Sequence, residues 1–82
     1  MNPLFSTRTP EEWIAHEILI LHDSVDVINA CISQIKNENN IDAVMRNVRH
    51  LEVTLQREEI VADESDKTIF INAINTGKEY LI

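Results

Sequence analysis

Eighty-two residues with 44% hydrophobic and 26% charged side chains make one small folded domain, outside the composition range of disordered chains. A formal charge of −7 and a pI near 4.7 argue against a nucleic-acid backbone or an anionic membrane surface as partner. One glycine and two prolines are too few for the tight turns of an all-β chain of this length, so the composition predicts an all-α fold.

Residues 1–8 read as a flexible arm, with Leu4 and Phe5 as its apolar anchors. Met1 to Phe5 lacks the basic and apolar regions of a signal peptide, and the run Ile18 to Leu21 is far too short to span a bilayer. The lone cysteine, Cys31, can form neither an internal disulfide nor a cysteine-based zinc site, so a cytoplasmic, reducing location is expected.

Thr9-Pro10-Glu11-Glu12 is a strong helix start. Thr9 can cap the first amides, Pro10 suits the first helical position, and Glu12 completes a capping box. A first helix is predicted over residues 10–36, with Lys36 in its last turn facing the negative end of the helix dipole. Its core seam is Ile14, Ile18, Leu21, Val25, Ile28, Ile32 and Ile35, in strict 3-4 alternation. A second stripe, Trp13, Ile20 and Val27, falls on one flank, and Cys31 lies beside the seam. Together they widen the apolar arc to roughly 160°, where a helix resting on one partner needs about 100°. The excess face is the reason to expect a partner, and Trp13, Ile20, Val27 and Cys31 are the candidate interface. Trp13 has two roles open to it, a lid on the core or a binding anchor.

Asn37-Glu38-Asn39-Asn40 reads as the turn, with Asn39 or Asn40 capping a second helix over 41–61. Its seam is Ile41, Val44, Val48, Leu51 and Leu55. Beyond Leu55 the spacing fails, and Asp63-Glu64-Ser65-Asp66 reads as a break that caps a third helix over 66–76. Gly77 is its expected stop, with residues 78–82 as a tail. The β-branched runs around Ile60 and Ile69 leave a short hairpin near Asp63–Lys67 as an alternative. The predicted architecture is a long helical hairpin plus a short third helix, assembling into a dimeric helical bundle.

No constellation of catalytic or metal-ligating residues emerges. His16 and His22 each have a carboxylate four residues away, Glu12 and Asp26, but the two pairs do not converge. Cys31 has no base beside it, and a single glycine cannot build a phosphate-cradling loop. No catalytic residue, metal or cofactor is therefore assigned. Arg46, Arg49, His50 and Arg57 gather on one side of helix two. They read as a solvated face that can pair with Glu17, Asp23 and Asp26 of helix one, which carries no Lys or Arg from Pro10 to Ile35.

The expected function is a non-enzymatic protein–protein interaction module of adaptor, co-chaperone or regulator type. It would self-associate through helix one and present a face to a larger protein, with no nucleic acid and no membrane among its partners. The alternative is an acidic inhibitor or DNA mimic, of phage or immunity type, that occupies a basic groove on its target.

Overall fold

The computed structural model describes residues 9–57 and 60–82. Three helices pack together, α1 (Pro10–Ile32), α2 (Glu38–Leu55) and α3 (Glu64–Leu81), and the described residues contain no strand. The hairpin alternative near Asp63 is thereby excluded. The expected arm over 1–8 lies outside the described residues.

Each helix start is set by one side-chain oxygen that accepts an otherwise orphaned amide. Thr9 Oγ1 accepts from the Glu12 amide at 3.2 Å, and its hydroxyl also reaches Glu12 Oε1 at 3.3 Å. Asn37 Oδ1 accepts from Asn40 N at 2.9 Å, and Asp63 Oδ1 from Asp66 N at 3.1 Å. Helix α2 therefore begins earlier than predicted, because Asn37, not Asn39 or Asn40, is the cap. Asn40 instead donates from Nδ2 to the Ile35 carbonyl at 3.0 Å and braces the turn.

The predicted ends need correction at all three helices. Helix α1 stops at Ile32, where the Ser33 hydroxyl donates to the carbonyls of Asn29 at 2.9 Å and Ala30 at 3.1 Å and closes the last turn. Ile35, assigned to the seam, is left in the turn and is 86% exposed. Helix α2 ends at Leu55, well short of 61, and the backbone amides of Arg57 and Ile60 close consecutive turns onto Thr54 and Arg57. Those turns carry Val61 fully into the core. Helix α3 runs through Gly77 to Leu81, so the expected tail is helix.

Gly77 belongs inside α3 because that is where α3 meets α2. A Cβ at Gly77 would collide with a γ-methyl of Val48 and stand 3.4 Å from Val44 Cγ1 and 3.7 Å from Ile28 Cγ2. A glycine inside a helix costs about 1 kcal/mol against alanine; here it admits the neighbouring helix.

The core gathers Leu21, Val25, Ile28 and Cys31 of α1, Val44, Val48 and Leu51 of α2, and Phe70, Ala73 and Ile74 of α3 around Val61. Ile14, Ile18, Ile32, Ile41 and Leu55 are half-buried at its margins. Polar ties join the elements at the rim. His22 Nε2 and Asp66 Oδ1 are 3.1 Å apart between α1 and α3, with the His22 ring edge-on to Phe70 at 5.0 Å. Glu52 and Lys78 pair at 2.6 Å between α2 and α3. Lys36 lies beyond α1 and does not cap it; its Nζ donates to the Tyr80 carbonyl at 2.7 Å and sits 4.8 Å from the centre of the Tyr80 ring. The cation thus serves the negative end of α3.

Candidate protein-docking groove between α1 and α2

The first turns of α1 lie beside the last turns of α2, and the flank between them is hollow. Pro10, Trp13, Ile14 and Glu17 of α1, His50, Val53 and Thr54 of α2, and Arg57 and Ile60 just beyond α2 line a cleft of about 560 Å³. Further along, Ile20 and Ser24 face Arg46, Asn47 and His50 across a second hollow of about 440 Å³. His50 lines both hollows, which lie along the same helix pair.

The 3-4 spacing of each helix explains which side chains meet here. On α1, Trp13, Glu17, Ile20 and Ser24 share one side; on α2, Arg46, His50 and Val53 do, and Arg57 follows just beyond its end. Trp13 is 50% exposed and makes an edge-on contact with the His16 ring, their centroids 6.4 Å apart. Val53 is 58% exposed across from it. The apolar walls are therefore aromatic and aliphatic, and they lie at the surface.

The candidate interface divides into three. Trp13 and Ile20 line the groove. Val27 is 39% exposed and lines neither hollow. Cys31 must be removed from the candidates, because only 8% of it is exposed and it sits in the core cluster beside Ile28 and Val44. Helix α2 covers that end of α1, and a thiol in apolar surroundings acts as a small hydrophobe.

The electrostatics of the groove oppose those of the rest of the molecule. Arg46 and His50 of α2 and Arg57 just beyond it line one side, and Glu17 is the one acidic lining residue among the described residues of a chain of net charge −7. The expected pairing of this basic side with Asp23 and Asp26 does not form within the chain. Arg46 instead donates from Nε to the Asp42 carbonyl at 3.4 Å, and Asp23 and Asp26 are exposed. Arg49, grouped with the others by spacing, is exposed outside the groove. His50 Nε2, enclosed at the junction of the hollows, has no hydrogen-bond partner among the described residues. An unpaired buried polar atom of this kind costs about 1–3 kcal/mol.

Val53, Thr54 and Ile60 were not legible as groove residues. The α2 stripe through Arg46, His50 and Val53 has 3-4 spacing, but its mixed polarity hides it from a search for apolar periodicity. Among the described residues, no three His, Cys, Asp or Glu side chains gather as metal ligands, and no helix is long and apolar enough to cross a membrane. Comparison with protein-family models, with curated proteins and with solved structures returns no match.

Proposed function

We propose that the chain is a small non-enzymatic interaction module. Helices α1 and α2 act as a helical hairpin whose open flank, the groove fronted by Trp13 and Ile20, is the docking face through which the chain self-associates. One observation carries this reading. Leu21, Val25 and Ile28 of the seam are covered within the chain, while Trp13 and Val53 remain 50% and 58% exposed beside the groove. A contiguous apolar surface rimmed by polar groups marks an interaction site. Burying what remains exposed of such side chains is worth about 0.6–1.7 kcal/mol each, from a full value of about 1.5–3. The lone cysteine, enclosed in the core, fits a reducing compartment such as the cytoplasm.

Sedimentation velocity at micromolar concentration tests the reading. A dimer is expected for the wild type, and Trp13→Glu should yield a monomer with a similar circular dichroism spectrum. A wild-type monomer across that range sinks the self-association.

A second reading draws on the outward face of α1. Glu11, Glu12, Asp23 and Asp26 are exposed there with no cation in the helix, as an acidic inhibitor or DNA mimic would require. It predicts a basic partner whose affinity falls steeply with salt. Salt-insensitive partner binding would favour the apolar groove.

A further inference from the structure

We infer that the groove between α1 and α2 takes an amphipathic helix of another protein, one that carries a carboxylate two turns from an apolar anchor. The anchor fills the cleft beside Trp13, and the carboxylate pairs with Arg46 in the second hollow. This rests on the reading above only in taking the groove as the docking face, and a helix bound there would displace a second copy.

The cleft is the first support. Pro10, Trp13, Ile14, Val53 and Ile60 give it apolar walls, and Trp13 and Val53 are half or more exposed there. Tryptophan at such a cleft is a usual anchor of an interface. Two helices side by side leave a furrow along their length, and an amphipathic helix fills a furrow of this kind with residues three, four and seven apart. Trp13 lines the first hollow and Ile20 the second. They are seven residues apart, or about 10 Å at 1.5 Å per residue. A helix lying along the groove therefore reaches both hollows with side chains two turns apart.

Charge selects the second of those side chains. The chain has 14 acidic residues against 7 lysines and arginines, so each cation has an excess of carboxylates to choose from. Lys67 pairs with Glu64, Lys78 with Glu52, and Lys36 serves the Tyr80 carbonyl. Arg57, at the cleft, already interacts within the chain and is not needed for the carboxylate. Arg46 is different. It is exposed, has no carboxylate within ion-pair distance among the described residues, and engages only its Nε, with the Asp42 carbonyl at 3.4 Å. Asn47, beside it in the hollow, gives its side-chain amide to the Ala43 carbonyl at 2.7 Å. The two terminal amino groups of Arg46 are thus the charged donors left for a ligand. An arginine fork binds a carboxylate through two parallel hydrogen bonds, so Asp or Glu fits. An inorganic anion would leave the apolar cleft empty. The net charge of −7 opposes an acidic partner at long range, but that repulsion is screened beyond about 8 Å at physiological salt.

A designed peptide tests this. The probe is a stapled Ala- and Gln-based helix without tryptophan. It bears two leucines one turn apart and a glutamate two turns from the first leucine. Trp13 is the only tryptophan of the chain, so its emission reports on the cleft. The peptide should shift that emission to the blue and saturate. Replacing its glutamate by glutamine should weaken binding about fivefold, and replacing its leucines by alanines by more than about tenfold. Arg46→Glu should lose the glutamate peptide by about fivefold and gain a lysine peptide, as a paired charge requires. Arg46→Gln, the milder variant, should lose the preference for glutamate over glutamine without gaining lysine. Arg49→Glu changes the net charge equally outside the groove and should cost the glutamate peptide much less.

No blue shift with the glutamate peptide, or equal affinity for the glutamate, glutamine and lysine peptides, overturns the inference. Sedimentation of the protein alone decides self-association separately. A wild-type monomer that binds the peptide sinks self-association and keeps the helix partner; a dimer indifferent to the peptide does the reverse. Peptide binding that appears only after residues 1–8 are deleted gives the groove to the chain's own amino-terminal segment and overturns the inference too.

Discussion

Gly77 shows how much one missing methyl group controls. Gly77→Ala gains about 1 kcal/mol of helix propensity but overpacks the contact with Val48, at a typical cost of about 1–3 kcal/mol. The obstructing atom is a γ-methyl of a β-branched side chain, which has little rotamer freedom in a helix. Urea unfolding should show a net loss of about 1 kcal/mol. In a Val48→Ala background the same substitution should turn stabilising, because the obstruction is gone and the propensity gain remains. A loss in both backgrounds would mean that Val48 is not the obstacle. The Tyr80 hydroxyl supplies a converse case. It is enclosed with no hydrogen-bond partner among the described residues, and leaving such a group unmade carries a desolvation cost. Tyr80→Phe should leave the midpoint unchanged or raise it, and a loss above about 1 kcal/mol would point to an unseen partner for the hydroxyl. Neither residue could be understood from sequence. Gly77 read as a stop because glycine usually ends helices, and only the approach of α2 explains it inside one.

At the scale of elements, caps decide boundaries more than seams do. Three asparagines, Asn37, Asn39 and Asn40, are each competent to cap α2. Asn37 takes the role, while Asn40 holds the Ile35 carbonyl across the turn. Asn37→Ala should therefore cost about 1 kcal/mol, and Asn39→Ala only a few tenths, as at an ordinary surface site. Equal losses in thermal or urea unfolding would contradict this assignment. The helices themselves were legible because the apolar residues recur at helical spacing and the caps of α1 and α3 are distinctive. Their ends were not. Ile35 keeps the spacing of the seam, but the chain must reverse before α2, and Ser33 closes α1 first. Val61 lies outside every periodic pattern yet is fully buried, because the turns after Thr54 fold it back. The same limit applies to the groove: its α1 wall could be read from Trp13 and Ile20, but its α2 wall is defined only once the two helices lie side by side.

For the whole molecule, the position of Cys31 separates the core from the docking face. A thiol reagent such as dithionitrobenzoate should label native protein far more slowly than protein unfolded in urea, since Cys31 is enclosed between the helices. That protection should persist in Trp13→Glu, because the groove lies on the opposite part of α1 from this end of the core. Rapid labelling of the native wild type would mean that the α1–α2 contact around Cys31 opens readily. Prompt labelling in the variant alone would mean that Trp13 is a lid on the core, and its value as a docking anchor would be lost.

The ties made by His22 and Lys36 also set an order of opening. Each reaches a partner 44 residues along the chain, Asp66 and the Tyr80 carbonyl, one at either end of α3. Contacts between α1 and α2 close a shorter loop, and shorter loops cost less entropy to form. Loss of both ties is expected to free the two ends of α3 from α1, leaving α3 held to α2 around Gly77 and by the Glu52–Lys78 pair. Native-state hydrogen exchange should find the amides of α3 opening together at a lower free energy than the middle turns of α1 and α2. The groove lies on the side of the molecule that this opening spares, so a docked partner would hold the pair of helices that stays folded longest.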